Sequence, residues 1–308
     1  AGRQADAGRV VHGLEHVVEQ LLERGLGDAR GVDPRGDGAQ AGIGEFEDGE
    51  QGHGVKTKMN SEPYCPQFLK RLRGARLSRF DRAAFALLIA FAVVLAGKGW
   101  LDAHPEHNPW APLDLRDPMG WATDRKIAAL RDDVGACRAV LERSDVEFAA
   151  LSPAGEGSCA RPDRTVVDGL PLSPATPPTT CAVAVAFEMW LRRSVEPAAE
   201  TILESPIARI EHYGAFSCRR MYDRDDAPWS EHATGNAIDI AGFVLEDGRR
   251  VTVLGDWDGE GDEGRFLRAV RDGACETFGT VLSPDYNAAH RDHFHLDQAA
   301  RGFGGVCR

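Results

Sequence analysis

Residues 236–244 read NAIDIAGFV, and they alternate between large apolar side chains and small or polar ones. Alternation with a period of two is typical of a β-strand that has one buried face. Ile238 and Ile240 share the face that should pack into a core, whereas Asp239 shares the opposite face with two alanines. Because its neighbours on that face are small, the carboxylate has room beside it for an ion.

A second strand is predicted at residues 293–297, HFHLD. Period two puts its phenylalanine and leucine on the core side. The opposite face then carries His293, His295 and Asp297. Two imidazoles and a carboxylate on one face are costly to bury without a partner. A divalent metal ion is a natural partner for them, so this strand predicts metal binding as well as sheet structure.

Helical patterns come before these strands in the chain. Apolar spacing predicts a helix at residues 123–143 and a longer one at residues 180–203, which Pro197 should kink or divide. The other expected elements are strands at residues 207–218 and 249–254 and a helix at residues 265–278. Helices first and strands later indicate an α+β fold with a small antiparallel sheet.

A zinc site is expected where the two strands meet. Gly235 permits a tight turn that folds His232 back toward Asp239. The expected ligands are His232, Asp239 and His295. Three protein ligands leave a fourth position for water, as in catalytic rather than structural zinc sites. Zn²⁺ is therefore the expected cofactor, although each of these residues taken singly could be an ordinary structural histidine or carboxylate.

Hydrolysis at such a site needs a base that takes a proton from water. His293 is the first choice, because it lies two residues from His295 on the same strand face, and Asp292 is the second. His290 is expected to stabilise the tetrahedral oxyanion as an imidazolium.

Substrate-binding residues are expected just before the first cluster. Arg219 and Arg220 could bind a substrate carboxylate in a bidentate manner, although such arginines also form surface ion pairs. Ser230, which begins the first cluster, is a further candidate for substrate binding.

The pattern Ser230-x-His232-x-x-Gly235-x-Ala237-x-Asp239, followed by His293-x-His295, resembles the active-site signature of the LAS metallopeptidases (lysostaphin-type enzymes, D-Ala-D-Ala metallopeptidases and the amino-terminal domain of sonic hedgehog). Residues 121–308 resemble the bacterial extensin-like C-terminal domain family more closely.

This resemblance implies a zinc peptidase that acts on peptidoglycan peptide cross-links. It matches His232, Asp239 and His295 to the zinc ligands and His293 to the catalytic histidine. One position departs from the pattern of the carboxypeptidase branch, where a glutamate stands three residues before the last ligand. Here that residue is Asp292, one methylene shorter, so the identity of the base stays open.

The chain before this domain divides into segments. Residues 1–58 precede the first methionine, and we expect either a disordered tail or sequence upstream of the true start, with a helix only near residues 10–24. Residues 59–82 form a basic cytosolic segment. Residues 83–97, AAFALLIAFAVVLAG, are uncharged, and a proline-rich linker follows at residues 98–120.

A basic flank before an apolar run is typical of an export signal or membrane anchor. We expect residues 83–97 to anchor the chain in the inner membrane, with a cleaved signal and a buried core helix as alternatives. The C-terminal domain should then face the periplasm. Its six cysteines can form three disulfides there, whereas Cys65 should stay reduced in the cytosol.

Charge limits the classes of partner. The formal net charge of −12 argues against nucleic acid as a partner, since phosphate binding needs a basic surface. Peptidoglycan peptides are the expected partner. The alternative is a non-catalytic module that keeps zinc for stability or for gripping the cell wall, and a third reading is a purely structural, disulfide-stapled domain.

Overall fold

A computed structural model describes residues 78–300 and 305–308. The expectations for residues 1–58, for the first part of the basic segment and for Cys65 lie outside the described residues. The described chain contains both helices and sheets, which confirms a mixed α+β fold.

The apolar run lies in one long helix, α1, which spans Arg79–Ala103 and has 25 residues. Ser78 caps its N-terminus, because the Ser78 hydroxyl accepts a hydrogen bond from the backbone N–H of Asp81. At about 1.5 Å per residue the helix is roughly 37 Å long. It is long and apolar enough to cross a membrane. None of its residues is buried in the protein, so the expected alternative of a buried core helix is wrong.

The linker after α1 is largely irregular, with one short 3-10 turn at Pro105–His107. Aromatic stacking connects it to both sides. The ring of Trp100, near the end of α1, stacks on His107 at a centroid distance of 5.3 Å. On the domain side His107 stacks on Trp121 at 6.2 Å.

The single helix predicted at residues 123–143 is interrupted. Helix α2 spans Thr123–Ala129, a 3-10 turn follows at Leu130–Asp132, and helix α3 spans Val134–Arg143. The cause is Asp133, whose side chain accepts a hydrogen bond from the backbone N–H of Ala136 and so starts a new helix.

The long helix predicted at residues 180–203 is nearly continuous, and Pro197 does not divide it. Its first part, α4, spans Cys181–Trp190 and is buried along its whole length. Wider π-helical turns follow at Leu191–Val195 and Ala199–Leu203, with the short α5, Glu196–Ala198, between them. π-Turns shift the hydrogen-bond pattern, which lets the helix pass the proline, a residue that lacks an N–H donor.

Two more helices follow in the described chain. Helix α6 spans Val253–Asp256, where the end of a strand was predicted, and α7 spans Asp262–Ala274. Helix α7 replaces the one predicted at residues 265–278 and begins three residues earlier.

The strands form two sheets. A two-stranded sheet pairs β1 with β2, and in the larger sheet the order is β3-β4-β5-β8-β7-β9, with β6 beside β5. The strands are β1 Phe148–Ala150, β2 Thr165–Val167, β3 Leu172–Ser173, β4 Ile207–Gly214, β5 Ala237–Leu245, β6 Arg250–Thr252, β7 Thr280–Leu282, β8 Phe294–Asp297 and β9 Val306–Cys307.

The larger sheet is mixed rather than antiparallel. Its central pairs are antiparallel as expected, but β3 runs parallel to β4 and β9 runs parallel to β7. Both parallel strands have two residues, which is too short for a periodic signal in the sequence. The expectation of a small antiparallel sheet is therefore wrong at its two edges.

The core lies between α4 and the sheet. Trp190 is fully buried, and its ring packs against Phe243 and Phe278. The indole N–H of Trp190 donates to the backbone carbonyl of Val270 at 2.7 Å. Alternate residues of β5 and β8 point into this core, as predicted, which leaves their other face for the polar side chains.

Disulfides join distant parts of the described domain. They link Cys137 to Cys181, Cys159 to Cys218, and Cys275 to Cys307. The expected three disulfides of the C-terminal domain are therefore confirmed. The first ties α3 to the start of α4, and the last holds edge strand β9 next to the end of α7.

Candidate metal centre

Strand pairing places two of the predicted ligands side by side. Strands β5 and β8 are antiparallel, and Asp239 is directly opposite His295 in the register. Their neighbours Ile238 and Phe294 are buried in the core. Because successive side chains alternate, Asp239 and His295 project from the same outer face of the sheet.

The third ligand comes from the turn before β5. A 3-10 turn at Glu231–Thr234 begins at Ser230, whose hydroxyl accepts a hydrogen bond from the backbone N–H of His232. The turn ends at Gly235, which has a φ of 73°, a left-handed conformation that favours glycine. The tight turn predicted from Gly235 thus returns the chain into β5 with His232 against the sheet.

Three ligand atoms of these residues form a small triangle. Nε2 of His232 lies 3.1 Å from Oδ1 of Asp239 and 3.1 Å from Nδ1 of His295, and the third edge, from His295 Nδ1 to Asp239 Oδ1, is 3.0 Å. A tetrahedral zinc ion with ligands at about 2.0–2.1 Å separates those ligands by about 3.3 Å. The triangle therefore fits a zinc-sized cation with shifts of a few tenths of an ångström.

The other ring nitrogen of each histidine is fixed by an outer partner. Nδ1 of His232 lies 3.3 Å from the carbonyl oxygen of Ala215, which can only accept, so Nδ1 carries the hydrogen. Nε2 of His295 donates in the same way to Oδ2 of Asp297 at 2.9 Å. Neutral rings in these tautomers aim a lone pair from each histidine at the triangle. Outer hydrogen bonds of this kind are typical of metal-binding histidines.

Electrostatics around the triangle favour positive charge. Burial alone would raise the pKa of Asp239, but the imidazoles of His232 and His295 beside it hold it well below its usual range. Burial alone would lower the pKa of His295, but hydrogen bonds to Asp239 and Asp297 raise it to about 9. Two buried carboxylates around one imidazole thus retain either a proton or a metal cation.

His293 lies just before β8, at the edge of the triangle. Its Nδ1 lies 2.9 Å from Oδ1 of Asp292, and its Nε2 lies 3.7 Å from Oδ1 of Asp239. The carboxylate of Asp292 accepts from Nδ1, so Nε2 presents a lone pair on the side of the ligands. Asp292 therefore orients His293, and the two candidate bases form a pair.

His290 lines the same cavity as the triangle. Its Nδ1 lies 2.8 Å from Oδ1 of Asn287, and its ring packs against the rings of His293 and His295. Burial, together with His293 and His295 beside it, lowers the pKa of His290 to about 4 in the metal-free chain. The expected role of His290 as an oxyanion stabiliser stays a prediction.

Two of the three predicted substrate-binding residues line the cavity, and the third does not. Arg219 and Ser230 line a cavity of about 160 Å³ in front of the triangle. Ser230 caps the turn before His232, as described above. Arg220 instead donates to the carbonyl oxygen of Ala227 at 2.6 Å, and its guanidinium lies over the ring of Trp229. Arg220 therefore stabilises the loop that contains Ala227 and Trp229 and does not line the cavity.

Several supporting residues were not predicted. Asp297 holds His295, and Asn287 connects His290 to the hydroxyl of Tyr222 at 3.3 Å. The placement of Asp297 on the histidine face of β8 was a usable signal, because residues two apart on a strand are neighbours. The carbonyl of Ala215 gives no sequence signal, since every residue has one.

Comparison with known proteins identifies the domain that carries this site. A family model described as "Extensin-like protein C-terminus" matches residues 135–308, a range that contains all the residues of the triangle. The match begins later than the expected boundary at residue 121. No curated protein and no solved structure matched the chain. The likeness to LAS metallopeptidases therefore rests on the motif residues alone.

Proposed function

The chain belongs to the extensin-like protein C-terminus family, and we propose that its C-terminal domain is a zinc-dependent peptidase that acts on peptidoglycan peptides. One observation carries the proposal. His232, Asp239 and His295 bring three ligand atoms within 3.1 Å of one another, and these atoms face a cavity.

The donor set suits zinc. Two imidazole nitrogens and one carboxylate oxygen match the ligands of catalytic zinc sites, in which a fourth position stays open. Among the described residues, this cluster is the group whose ligand atoms could hold a metal ion. When bound, zinc would polarise the scissile carbonyl and acidify a water molecule.

His293 is the proposed general base. Its hydrogen bond to Asp292 fixes Nδ1 as the donor, which leaves Nε2 free to accept a proton from the attacking water. The same nitrogen then returns that proton to the leaving amine. Asp292 is a positioning residue in this scheme, and His290, whose ring packs against His293, is retained as the proposed oxyanion stabiliser.

The cellular placement is also a proposal. Helix α1 is long and apolar enough to anchor the chain in the inner membrane. Basic residues precede and begin it, namely Lys70, Arg71, Arg73, Arg76, Arg79 and Arg82. Positive flanks stay in the cytoplasm, so the domain that follows would face the periplasm. Three disulfides in that domain support an oxidising compartment.

A second candidate function is a non-catalytic zinc module that grips the cell wall. The cavity lining supports it, because Arg219 lies beside the proposed zinc ligands and a guanidinium can bind a peptide carboxylate without hydrolysis. Such a module would retain the zinc ligands and bind wall peptides without hydrolysis.

Metal analysis and digestion together test both candidates. The full chain, purified in detergent, should contain one zinc per molecule, and His232→Ala and Asp239→Ala should lose it. His212→Ala, on neighbouring strand β4, is the matched control and should keep it. The protein should digest muropeptides, and His293→Ala should bind zinc but not digest.

Each other outcome has a distinct meaning. Zinc binding together with muropeptide binding, but no hydrolysis by the unaltered chain, would support the non-catalytic module. A chain that takes up no zinc under any condition would overturn both candidates and support a purely structural domain.

A further inference from the structure

A second cavity opens beside the metal centre. Its volume is about 440 Å³, which lies in the usual range for ligand pockets. Strand β4 contributes Glu211 and Tyr213, and β6 contributes Arg250. Asp292, the partner of the proposed base, also lines it.

Two residues of its lining, Tyr213 and Asp292, are neighbours of His293. The ring of Tyr213 packs edge-on against His293 at a centroid distance of 5.7 Å. Asp292 accepts a hydrogen bond from Nδ1 of His293, and burial together with this nearby carboxylate raises the pKa of Tyr213. The cavity is therefore joined to His293 through the two residues Tyr213 and Asp292.

The position of the proposed base indicates which side of the scissile bond lies near His293. In peptide hydrolysis the water oxygen bonds to the carbonyl carbon, the C–N bond breaks, and the base returns the water's proton to the leaving nitrogen. The leaving nitrogen must then lie close to His293. The part of the substrate attached to that nitrogen then needs space near His293, and the cavity lined by Tyr213 and Asp292 is a neighbouring space of suitable size.

Charges of both signs line this space. Arg250 pairs with Glu211, with Nε at 2.8 Å and Nη2 at 2.6 Å from Oε2 of the carboxylate. The Arg250 side chain is 59% exposed and that of Glu211 is 27% exposed, so both can reach a ligand. The carboxylate of Asp292, 36% exposed, adds a second negative group.

We propose that this cavity is the leaving-group subsite of the peptidase, and that Glu211, Asp292 and Arg250 select a residue whose side chain ends in both an amine and a carboxylate. This inference rests on the proposed function. It makes that function more specific, because the enzyme becomes an endopeptidase with substrate residues on both sides of the cleaved bond. A guanidinium suits the carboxylate, and the two acidic groups suit the ammonium.

Binding of small probes tests the subsite separately from catalysis. 2,6-Diaminopimelic acid ends in such a zwitterion, whereas pimelic acid lacks the amines and cadaverine lacks the carboxylates. The full chain in detergent is stripped of metal, so that the probe cannot bind through zinc, and titrated by calorimetry. We expect diaminopimelic acid to bind and both truncated probes to bind at least tenfold more weakly.

Substitutions of the cavity residues test whether diaminopimelic acid binds in this cavity. Arg250→Gln and Glu211→Gln should each weaken diaminopimelic acid binding about tenfold, since each removes a charge-assisted hydrogen bond. Arg249→Gln is the matched control, because Arg249 is adjacent and pairs with Asp247 instead. In muropeptide digestion, Arg250→Gln should raise KM and leave kcat unchanged.

The outcomes separate the two proposals. Diaminopimelic acid binding that depends on Arg250, without any hydrolysis, would retain the subsite and overturn the peptidase. Hydrolysis that Arg250→Gln does not alter, or diaminopimelic acid binding that is absent or equal in all variants, would overturn the subsite and leave the peptidase intact.

Discussion

Asp297 lies two residues beyond His295 on strand β8, and its Oδ2 accepts a hydrogen bond from Nε2 of that histidine at 2.9 Å. Asp297 is almost fully buried, with 1% of its surface exposed. A buried carboxylate that holds the far nitrogen of a metal-facing imidazole fixes the ring's orientation and makes it a stronger ligand. The proposed metal centre would thus depend on a residue outside the ligand triangle.

The first prediction concerns this support. Asp297→Asn keeps the size of the side chain but removes its charge, so the affinity for zinc should fall by about 10- to 100-fold. Competition with a chromophoric chelator measures the affinity, and near-UV circular dichroism checks the fold. Asp292→Asn is the matched control, because Asp292 holds His293 rather than a ligand. An unchanged zinc affinity in Asp297→Asn would show that the carboxylate does not support the metal.

The second prediction concerns pH. The pKa of His295 is raised to about 9, against an ordinary value of 6.5, in the chain without metal. Protonated His295 therefore stabilises the metal-free fold fully below pH 6.5, and that contribution is lost as the pH rises to 9. Zinc must displace this proton, so zinc affinity should rise by about tenfold per pH unit over the same window.

Metal-buffered titrations at pH 6.5, 7.5 and 8.5 measure this slope. Calorimetry in buffers with different ionisation enthalpies should show about one proton released per zinc at pH 7. In Asp297→Asn the pKa of His295 should be less elevated. The rise of zinc affinity with pH should therefore end at a lower pH. Zinc affinity that stays constant across the window would contradict a proton on His295.

The meeting of His232, Asp239 and His295 was predictable from the sequence, because each step needed only local geometry. Asp239 and His295 face outward since their strands alternate, and His232 returns since Gly235 allows a tight turn. What the sequence left open was the register between β5 and β8. A shift of one residue would have placed Asp239 against Leu296 instead of His295.

Other features depend on surroundings that no local pattern encodes. The pKa of His290 is lowered because burial removes water and two other histidines pack beside it. Ser230 lines the cavity, so its substrate-binding role stays a prediction, but the sequence did not predict that its hydroxyl also caps the turn before His232. Strands β3 and β9 pair in parallel with neighbours distant in sequence, and two residues are too few to show alternation.

The third prediction tests the core between α4 and the sheet. Trp190→Ala should lower the free energy of unfolding by about 3–5 kcal/mol, because it leaves a cavity and removes the hydrogen bond to Val270. Urea denaturation measures the change. Trp110→Ala is the control, since the Trp110 side chain is 83% exposed and should be neutral within about 0.5 kcal/mol. Equal effects of the two substitutions would contradict the packing of α4 on the sheet.

The fourth prediction concerns Gly235, which has a φ of 73° between His232 and strand β5. A methyl group there would meet Arg161 and Pro178 at 3.6 Å, an ordinary contact distance, so space does not exclude it. The penalty comes from the left-handed backbone, which costs an alanine about 1–2 kcal/mol. Gly235→Ala should therefore destabilise the domain by that amount and weaken zinc binding, because relief of the strain moves His232 away from Asp239.

Gly235→Asn provides the matched comparison, since asparagine tolerates the left-handed region better than alanine. Its loss of stability in urea should be smaller than that of Gly235→Ala, and its zinc affinity should lie closer to that of the unaltered chain. If asparagine were as damaging as alanine despite its backbone preference, crowding around Gly235 rather than its backbone conformation would set the position of His232.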